Sequence, residues 1–450
     1  MLDRDIPIIM PFISNDGFFV YDMYKNQILK LPMSLVPEIK SVLKLGIKEY
    51  VNQIKFTYEY KCVVHLIDKG YFQPSHIKTI EFPYTDKAFT IAQRCLRHMV
   101  LQVTKRCNFK CRYCAYATSD FSRNHETVDM EWDCAKKAID FLFSHSMDAK
   151  VVMLSFYGGE PMLNFEVIKK SIEYAECIFK TKQILYSMTC NGSLLTDEYI
   201  AFFEKHNVRI TISLDGPEYI QNRNRKFYAS GIGTYEVVSK NVMNIKEKHS
   251  EYFLKYITFN PVLINEEDRN AVEHYFVNFL KVPKEKITPK NANLSGIDYI
   301  HPISFKQYSD ERESSISFEN THRRIGECDI IPSTYCHGGP CIPGFTKLLI
   351  NTEGKFYLCE KVNELNKIYE LGNIDTGYNQ QSIKKLYDIV KLTENRCKNC
   401  WQMRLCNVCA VDCGASDSNG FSDKQKMVKC HSQANMLVSH LKRIVKNGGT

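Results

Sequence analysis

"HMVLQVTKRCNFKCRYC", residues 98–114, joins an apolar, strand-like run to three closely spaced cysteines. Cys107, Cys111 and Cys114 follow the run His98–Thr104 directly, which places them on a loop at the C-terminal end of a strand. Active sites of folds that alternate strands and helices lie on such loops. Because the loop is short, the three sulfur atoms can converge on one centre. The segment therefore indicates either a metal or iron–sulfur site or three buried packing cysteines.

The cysteine content of the chain favours metal ligation. The chain has 450 residues, of which 18 are cysteines. Its N-terminus lacks the basic region and unbroken apolar stretch of a signal peptide, and no apolar run reaches the roughly 18 residues of a membrane helix. We therefore expect a cytoplasmic protein with no membrane partner. Since the cytosol keeps thiols reduced, metal or iron–sulfur ligation is a more natural use of these cysteines than disulfides.

Charge gives a weaker indication of the partner. The formal net charge of +8 is modest for a chain of this length. No tract rich in lysine and arginine resembles a nucleic-acid-binding arm, so we expect no nucleic-acid partner. The same charge suits an acidic peptide.

Residues from about 98 to 300 alternate between strand-like and helix-like runs. Repeated strand–helix units predict an α/β fold, with a parallel sheet or barrel inside and helices outside. The strand-like runs are 98–104, 149–157, 183–189, 208–215 and 255–264, and the helix-like runs are 130–145, 164–179, 196–206 and 234–248.

Polar or glycine residues follow each of the next three strands. "YGGEP" follows the second strand, and its glycines allow the backbone to approach a ligand closely. Glu160 in this segment offers an acceptor to an ammonium group. Asn191 ends the third strand, and Ser213 and Asp215 end the fourth. Because parallel strands end at one edge of the sheet, these side chains are expected to surround one site.

Cysteine density rises again from about residue 325. Gly354, in "NTEGKFYLC", predicts a hairpin turn that returns the chain to the site. Thiols at these spacings indicate metal ligation, and the alternative to iron–sulfur is a zinc ribbon built from Cys397, Cys400, Cys406 and Cys409. The other cysteines of this region include Cys336, Cys341, Cys359, Cys413 and Cys430.

The first 92 residues or so predict a small mixed unit. Two short strands flank an Asn-containing turn, two helices end at Gly46 and Gly70, and 76–82 is strand-like. A hairpin-plus-helices unit of this kind can bind a peptide as an added strand.

The cysteine loop is similar to the CxxxCxΦC motif of the radical S-adenosylmethionine (SAM) enzymes, with Tyr113 as the aromatic residue. "GGEP" resembles the segment of that family that holds the methionine amino group. The resemblance implies a partial (β/α)6 barrel and a [4Fe–4S] cluster on the three cysteines whose open iron binds SAM. It implies an oxidoreductase that acts through a 5′-deoxyadenosyl radical. The cofactor-binding residues that we expect from it are Tyr113, Gly158, Gly159, Glu160, Pro161, Asn191, Ser213, Asp215 and Arg225.

The C-terminal cysteines resemble the pattern of a SPASM domain, which implies two auxiliary [4Fe–4S] clusters and three clusters in all. The first auxiliary cluster would take Cys336, Cys341, Cys359 and one later thiol. The family places that thiol at position 410, where this chain has Ala410, so either Cys409 or Cys413 takes the role. Glu360, beside Cys359, is predicted as a base or a substrate contact. The second auxiliary cluster would take Cys397, Cys400, Cys406 and Cys430.

Together the resemblances imply three domains. They are a winged-helix-like, leader-peptide recognition-like α+β unit at 1–92, a radical SAM partial barrel at 93–320 and a SPASM auxiliary-cluster domain at 321–450. The chain resembles maturases that form thioether links in Cys-rich ribosomal peptides. The implied partners are a precursor peptide with a leader sequence and an electron donor such as flavodoxin or ferredoxin. The alternatives are a sulfatase-maturing-type enzyme, which oxidises Cys or Ser to formylglycine, and a non-catalytic iron–sulfur or zinc scaffold.

Overall fold

The computed structural model describes residues 5–81, 87–114, 127–265, 267–291, 347–406, 408–414 and 420–448. Cys336 and Cys341, predicted ligands of the first auxiliary cluster, lie outside the described residues. The strands are β1 (Ile9–Ser14), β2 (Gly17–Asp22), β3 (Gln27–Leu31), β4 (His98–Thr104), β5 (Phe109–Cys111), β6 (Val151–Gly158), β7 (Gln183–Cys190), β8 (Arg209–Ile212), β9 (Arg225–Phe227), β10 (Ile257–Phe259), β11 (Val262–Leu263), β12 (Lys290–Asn291), β13 (Leu348–Ile350), β14 (Lys355–Tyr357), β15 (Glu370–Asn373) and β16 (Gly377–Tyr378). The helices are α1 (Val36–Leu45), α2 (Ile47–Val51), α3 (Tyr58–Asp68), α4 (Ala88–Arg94), α5 (Trp132–His145), α6 (Phe165–Ile178), α7 (Asp197–Lys205), α8 (Glu218–Asn224), α9 (Tyr235–Lys248), α10 (Ser250–Tyr256), α11 (Asp268–His274), α12 (Gln380–Tyr387), α13 (Glu394–Cys397) and α14 (Asp423–Lys446).

A parallel sheet forms the centre of the fold, as the alternating pattern predicts. Strands β4, β6, β7, β8 and β10 are parallel neighbours in that order. A parallel bridge from Phe259 to Ile287 and the pairing of β11 with β12 add a sixth parallel segment. The partial (β/α)6 barrel is therefore confirmed, and the five strand-like runs predicted between residues 98 and 264 all form strands at nearly the predicted positions.

The two faces of the sheet differ in polarity. Met99, Leu101 and Val103 of β4 alternate along one face and have no exposed surface, because they pack into the apolar core of the barrel. On the other face, His98 contacts the Ser155 hydroxyl at 2.7 Å across the neighbouring strand. Side chains of successive strand residues point to opposite faces, so this alternation gives one apolar and one polar face.

The helices between the strands begin and end at local signals. The Thr196 side chain accepts a hydrogen bond from the backbone N–H of Tyr199 and so caps the N-terminus of α7. Helix α6 buries Ile168, Ile172 and Ala175 on one stripe that faces the core. Among the helices that the structure describes, none is both long enough and apolar enough to cross a membrane.

The N-terminal unit is a three-stranded antiparallel sheet with helices on both faces. One face packs on α1–α3 and the other on α14. Two details differ from the sequence expectation. Strand β1 was not predicted, and the described part of the strand-like stretch, residues 76–81, forms no strand. The stretch packs on the C-terminal region instead, where Ile80 is buried and its N–H donates to Glu394 Oε1 at 2.7 Å.

The C-terminal region continues the central sheet. Strand β13 pairs in parallel with β4, and β14, β15 and β16 extend the sheet as antiparallel neighbours. Gly354 forms the predicted hairpin turn between β13 and β14, with φ of +79° and a backbone hydrogen bond of 3.0 Å to Asn351. A Cβ atom at this glycine would lie 2.7 Å from the Ile374 side chain. The hairpin therefore connects the barrel directly to the segment that contains Cys359.

Candidate iron–sulfur and cofactor site

The cysteine loop is fixed by a short antiparallel ribbon. Strand β5, inside the loop, pairs with β9, so that Cys111 lies opposite Arg225. Beyond the ribbon, the Arg112 N–H donates to the Asn224 carbonyl at 2.9 Å. The rings of Phe109 and Phe227 meet edge to face with their centroids 5.0 Å apart. The ribbon therefore holds the loop at the C-terminal end of β4, where the sequence predicts it.

The three thiols lie near one another in a buried setting. Burial raises the pKa of Cys107 to about 12 and of Cys111 to about 11, and the neighbouring thiols add to the rise. No group of three or more His, Cys, Asp or Glu side chains within the described ranges is close enough together to hold one metal ion. Three thiolates can each bind a different iron atom of a [4Fe–4S] cluster and leave the fourth iron open, which is the arrangement that the family resemblance implies.

The two glycines of "YGGEP" allow the second strand end to pack on the cysteine loop. A Cβ atom at Gly158 would lie 2.3 Å from the Thr104 carbonyl oxygen, and one at Gly159 would lie 2.2 Å from the Arg106 carbonyl oxygen. Backbone hydrogen bonds join the same segments, from Gly159 to Thr104 at 3.0 Å and from Glu160 to Arg106 at 2.8 Å. The sequence predicts that the glycines let the backbone approach a ligand closely, whereas the structure shows that they let the segment after β6 approach the segment after β4.

Glu160 connects the ends of two strands. Its carboxylate accepts a hydrogen bond of 3.1 Å from the Met162 N–H and one of 2.6 Å from the Asn191 N–H. Pro161, the next residue, begins a 3-10 turn that runs to Asn164. The Glu160 side chain is buried, and burial raises its pKa to about 7. A cationic amino group bound beside this carboxylate would favour its ionised form.

Asn191 links the end of β7 to the cysteine loop. Its side-chain N–H donates to Asn108 Oδ1 at 2.7 Å, and its own Oδ1 accepts from the Ser193 N–H at 2.9 Å. Asn108 in turn donates to the Ser193 hydroxyl at 2.9 Å. Neither Asn108 nor Ser193 is among the predicted site residues. The only indication in the sequence is their position, because Asn108 lies within the cysteine motif and Ser193 follows Asn191 closely.

Asp215 and Arg225 form a buried ion pair behind the cysteine loop. The Arg225 guanidinium donates to Asp215 at 3.1 Å and to Cys111 Sγ at 3.9 Å, and it lies 5.3 Å from the Tyr113 ring centroid. The Tyr113 hydroxyl also donates to Asp215, and the Val262 N–H does so at 3.0 Å. Both oxygens of Asp215 are thus used inside the protein, which favours a positioning role over the predicted contact with a cofactor.

Several buried polar atoms at this end of the sheet have no hydrogen-bond partner among the described residues. Within the described residues, the amide oxygen and nitrogen of Asn224 and the Nε atom of Arg225 are buried and have no hydrogen-bond partner. Buried polar atoms nearly always have a partner, so this set indicates a polar ligand. An amino-acid carboxylate suits the guanidinium and the amide N–H groups. Half-buried Ser213 follows β8 at the same end. Asn224 was not predicted, although it directly precedes Arg225.

A second set of thiols lies in the C-terminal region. Burial raises the pKa of Cys400 to about 12, and Cys406, Cys397 and Cys430 add to that rise as electrostatic neighbours. The structure therefore brings together the four cysteines predicted for the second auxiliary cluster. Two of them have side-chain hydrogen-bond partners. Thr393 Oγ1 lies 3.2 Å from Cys397 Sγ, and Gln433 donates to Cys406 Sγ at 3.6 Å.

Cys409 and Cys413 differ in their surroundings. The Cys413 side chain has no exposed surface, and its thiol donates to the Cys409 carbonyl at 3.3 Å. The sulfur of Cys409 instead accepts the backbone N–H of Asp412. A sulfur that accepts a hydrogen bond is suited to metal ligation as a thiolate, whereas a buried donating thiol is typical of a packing cysteine. This contrast supports Cys409 as a ligand. Cys359 is buried at the end of the β13–β14 hairpin.

Replacing these two cysteines tests their roles separately. Cys409→Ala should lower the iron content of the reconstituted protein by up to about a third, because the cluster predicted there would keep only three protein thiolates and release its iron more readily. Cys413→Ala should retain the iron and lose only packing energy, about 1–2 kcal/mol for one buried sulfur. Iron and acid-labile sulfide analysis checks both variants. A loss of iron in Cys413→Ala alone would reverse the assignment.

Glu360 lies in an ion pair. Its carboxylate is 2.6 Å from the ammonium of Lys347. Burial tends to raise the pKa of Glu360, but Lys347 outweighs burial and holds the pKa at about 2. A carboxylate of that acidity is a weak proton acceptor near neutral pH, so its environment does not favour the predicted role as a base. The role as a substrate contact stays a prediction.

Comparison with known proteins agrees with this geometry. The model of the Radical SAM superfamily matches residues 101–276. The chain is 32% identical to the uncharacterized protein MJ0907 of Methanocaldococcus jannaschii over 123 residues, which cover 27% of the chain and 40% of that protein. It is 24% identical to the cysteine-type anaerobic sulfatase-maturating enzyme of Clostridium perfringens over 368 residues, which cover 74% of the chain and 93% of that enzyme.

The fold is also similar to a solved structure. The structure described as native anSMEcpe with bound AdoMet and Cp18Cys peptide has a TM-score of 0.55 and 19% identity, and the superposition covers 78% of this chain and 99% of that one. The family match includes the cysteine loop, Glu160, Asn191 and Arg225. The alignments with the sulfatase-maturating enzyme and with the solved structure extend beyond the barrel. The chain therefore contains a radical SAM domain over residues 101–276, and its similarity to the sulfatase-maturating enzyme continues beyond that domain.

Proposed function

We propose that the chain is a radical SAM peptide maturase that forms sulfur-to-carbon thioether links in a ribosomally made, Cys-rich precursor peptide. The observation that carries the enzymatic part is the cysteine loop paired to β9, beside the unpartnered buried atoms of Asn224 and Arg225. A thiol site next to buried polar atoms without partners fits SAM, which carries an amino-acid group, better than it fits a closed structural metal site.

In this proposal the residues of the site hold the cofactors. Cys107, Cys111 and Cys114 ligate a [4Fe–4S] cluster, Arg225 and Asn224 hold the SAM carboxylate, Glu160 holds its amino group, and Asn191 and Ser213 contact the ribose. When bound, cluster and SAM supply an electron and a carbon radical able to remove a hydrogen atom from the peptide. The buried ribbon and strand ends exclude water from that radical and orient the peptide carbon. We propose two auxiliary [4Fe–4S] clusters on the C-terminal cysteines.

The N-terminal unit supports a peptide substrate with a leader sequence. Strand β1 is an edge strand of its sheet, and a cavity of about 410 Å³ lies along it between α1 and α14. Phe12, Ile13 and Ile39 line the cavity with apolar surface, while Lys40 and Lys442 add positive charge. An edge strand beside an apolar cavity is the geometry for binding a peptide as an added strand. We propose a leader-peptide recognition unit at 1–92, a radical SAM partial barrel at 93–320 and an auxiliary-cluster domain at 321–450.

A sulfatase-maturing-type reaction is the second candidate. The alignment with the sulfatase-maturating enzyme of Clostridium perfringens covers 93% of that enzyme, which favours this alternative. The product distinguishes the two reactions. Thioether formation removes one hydrogen atom from a carbon and one from a thiol, so the peptide loses two hydrogen atoms and one alkylatable thiol per link. Formylglycine formation leaves an aldehyde that reacts with hydrazines. Mass spectrometry of a co-expressed Cys-rich peptide encoded beside this gene separates them.

The activity itself can be tested without the peptide. Anaerobically reconstituted protein, reduced with dithionite or with flavodoxin or ferredoxin as electron donor, should convert SAM to 5′-deoxyadenosine and methionine. Chromatography of the reaction mixture measures both products. A protein that binds iron but releases no 5′-deoxyadenosine above a SAM-only control would support the scaffold alternative instead.

A further inference from the structure

Helix α14 carries a buried stripe that changes character along its length. Lys426, Cys430 and Gln433 are spaced by four and three residues and therefore share one face of the helix. The stripe continues through Leu437 and Leu441, which pack on the N-terminal sheet. Its first half is thus polar and sulfur-bearing, and its second half is apolar.

Lys426 is an unusual residue for a buried stripe. Its side chain has 0% exposed surface, and its ammonium donates to the Ile389 carbonyl at 2.7 Å. Within the described part of the chain, no carboxylate lies within ion-pair distance of this ammonium. Burying an ammonium group without a counter-charge is strongly unfavourable, because the lost hydration is not replaced. A single backbone carbonyl does not offset that cost, so the environment of Lys426 indicates a missing negative charge.

The thiols of the C-terminal region lie around Lys426. Cys430 is one helical turn away, and the Ser422 N–H at the start of α14 donates to the Cys413 carbonyl at 2.6 Å. Gln433, on the same face of α14, donates to Cys406 Sγ at 3.6 Å and so connects this face to a second of the four thiols. The ammonium is therefore within electrostatic range of the second auxiliary set.

We infer that Lys426 is the fixed charge partner of an anionic iron–sulfur cluster held by Cys397, Cys400, Cys406 and Cys430. This inference rests on the proposed auxiliary clusters. Four thiolates outweigh the positive charge of a [4Fe–4S] core, so the assembly is anionic and becomes more negative when an external reductant adds one electron. A buried cation stabilises the more negative state more strongly and so raises the reduction potential. Lys426 thereby makes this cluster an easier electron acceptor than it would otherwise be.

Redox titration of the reconstituted full chain tests the inference. Lys426→Met keeps the length of the side chain and removes its charge, Lys426→Arg keeps the charge, and Lys429→Met removes a half-exposed lysine nearby on the same helix. Titration with dithionite, followed by electron paramagnetic resonance, should show one cluster of Lys426→Met shifted to lower potential. We expect at least a tenfold change in the reduction equilibrium, about 59 mV for one electron. Lys426→Arg and Lys429→Met should stay close to the parent.

Unfolding of the metal-free, reduced chain gives an independent measurement. Without the cluster, the ammonium is a buried charge with no partner, so metal-free Lys426→Met should be more stable than the metal-free parent. Unchanged potentials at equal iron content would overturn the inference. If Lys426→Met binds no iron at this site, its potential cannot be measured, and the stabilities of the two metal-free proteins test the inference. A metal-free variant that is no more stable than the metal-free parent would overturn it. Failure of the proposed catalytic function is separate, because a parent with all its iron but without SAM cleavage still shows the Lys426 shift.

Discussion

Cys111→Ala should abolish cleavage of SAM, with a loss of at least about a thousandfold in the rate of 5′-deoxyadenosine formation. The physical reason is that a cluster held by three protein thiolates has no spare ligand, so two thiolates do not retain it. The iron content should fall by about a third, because two of the three proposed clusters would be bound elsewhere in the chain. Chromatographic measurement of 5′-deoxyadenosine and iron analysis on the same anaerobic sample check both expectations.

Cys177→Ala is the matched control for this variant. Cys177 lies exposed on α6, away from both sets of thiols, so its replacement should leave iron content and SAM cleavage at the parent level. A Cys111→Ala protein that keeps all its iron and its activity would show that the loop cysteines are packing residues. A colourless parent that carries zinc in place of iron would contradict the whole assignment.

Arg225→Met should destabilise the chain strongly. Asp215 has 0% exposed surface, and loss of the guanidinium leaves its carboxylate buried without a counter-charge. Removing one member of a buried ion pair costs about 3–5 kcal/mol. The variant should also weaken SAM binding, since Arg225 lies beside Cys111 and beside the unpartnered atoms of Asn224. Urea unfolding of the metal-free chain, followed by circular dichroism, measures the change in the free energy of unfolding.

Two further variants test whether the unpaired charge of Asp215 causes the loss of stability. Arg94→Met breaks an ion pair whose side chains are 47% and 46% exposed, and it should cost no more than about 1 kcal/mol. Arg225→Met combined with Asp215→Asn removes the unpaired carboxylate and keeps one acceptor oxygen for the Val262 N–H, while the new amide N–H can donate to the Tyr113 hydroxyl. This double variant should recover part of the lost stability. Equal destabilisation by the exposed and the buried replacement would contradict the buried-pair account.

The auxiliary region bears on how electrons leave the proposed reaction. Forming a thioether link releases one electron from the substrate after the hydrogen atom is removed, and an iron–sulfur cluster is a suitable acceptor. The C-terminal strands continue the barrel sheet through β13, so Cys359, which follows β14, is connected directly to the barrel. A cluster whose potential is raised by Lys426 would accept that electron readily. The two proposals are therefore physically compatible, although their tests are separate.

Local features of the sequence determine much of the fold and the position of the ligand loop. The alternation of strand-like and helix-like runs predicts the barrel because side-chain periodicity follows from backbone geometry over a few residues. The spacing of Cys107, Cys111 and Cys114 predicts a site for the same reason, since all three lie on one loop. The turn at Gly354 was also predictable, because its positive φ is a local demand that glycine meets.

Contacts between distant parts of the chain were decided by the tertiary structure alone. The link from Asn108 to Asn191, the pairing of Cys111 with Arg225 and the placing of Lys426 beside Ile389 each join segments that no local pattern relates. Strand β1 escaped prediction because strand formation depends on a partner strand, and the 76–81 stretch failed to form a strand for the same reason. Short-range periodicity thus determined the elements and the ligand loop. Packing alone decided which polar groups remain without partners and where buried charge requires a counter-charge, because burial depends on the whole fold.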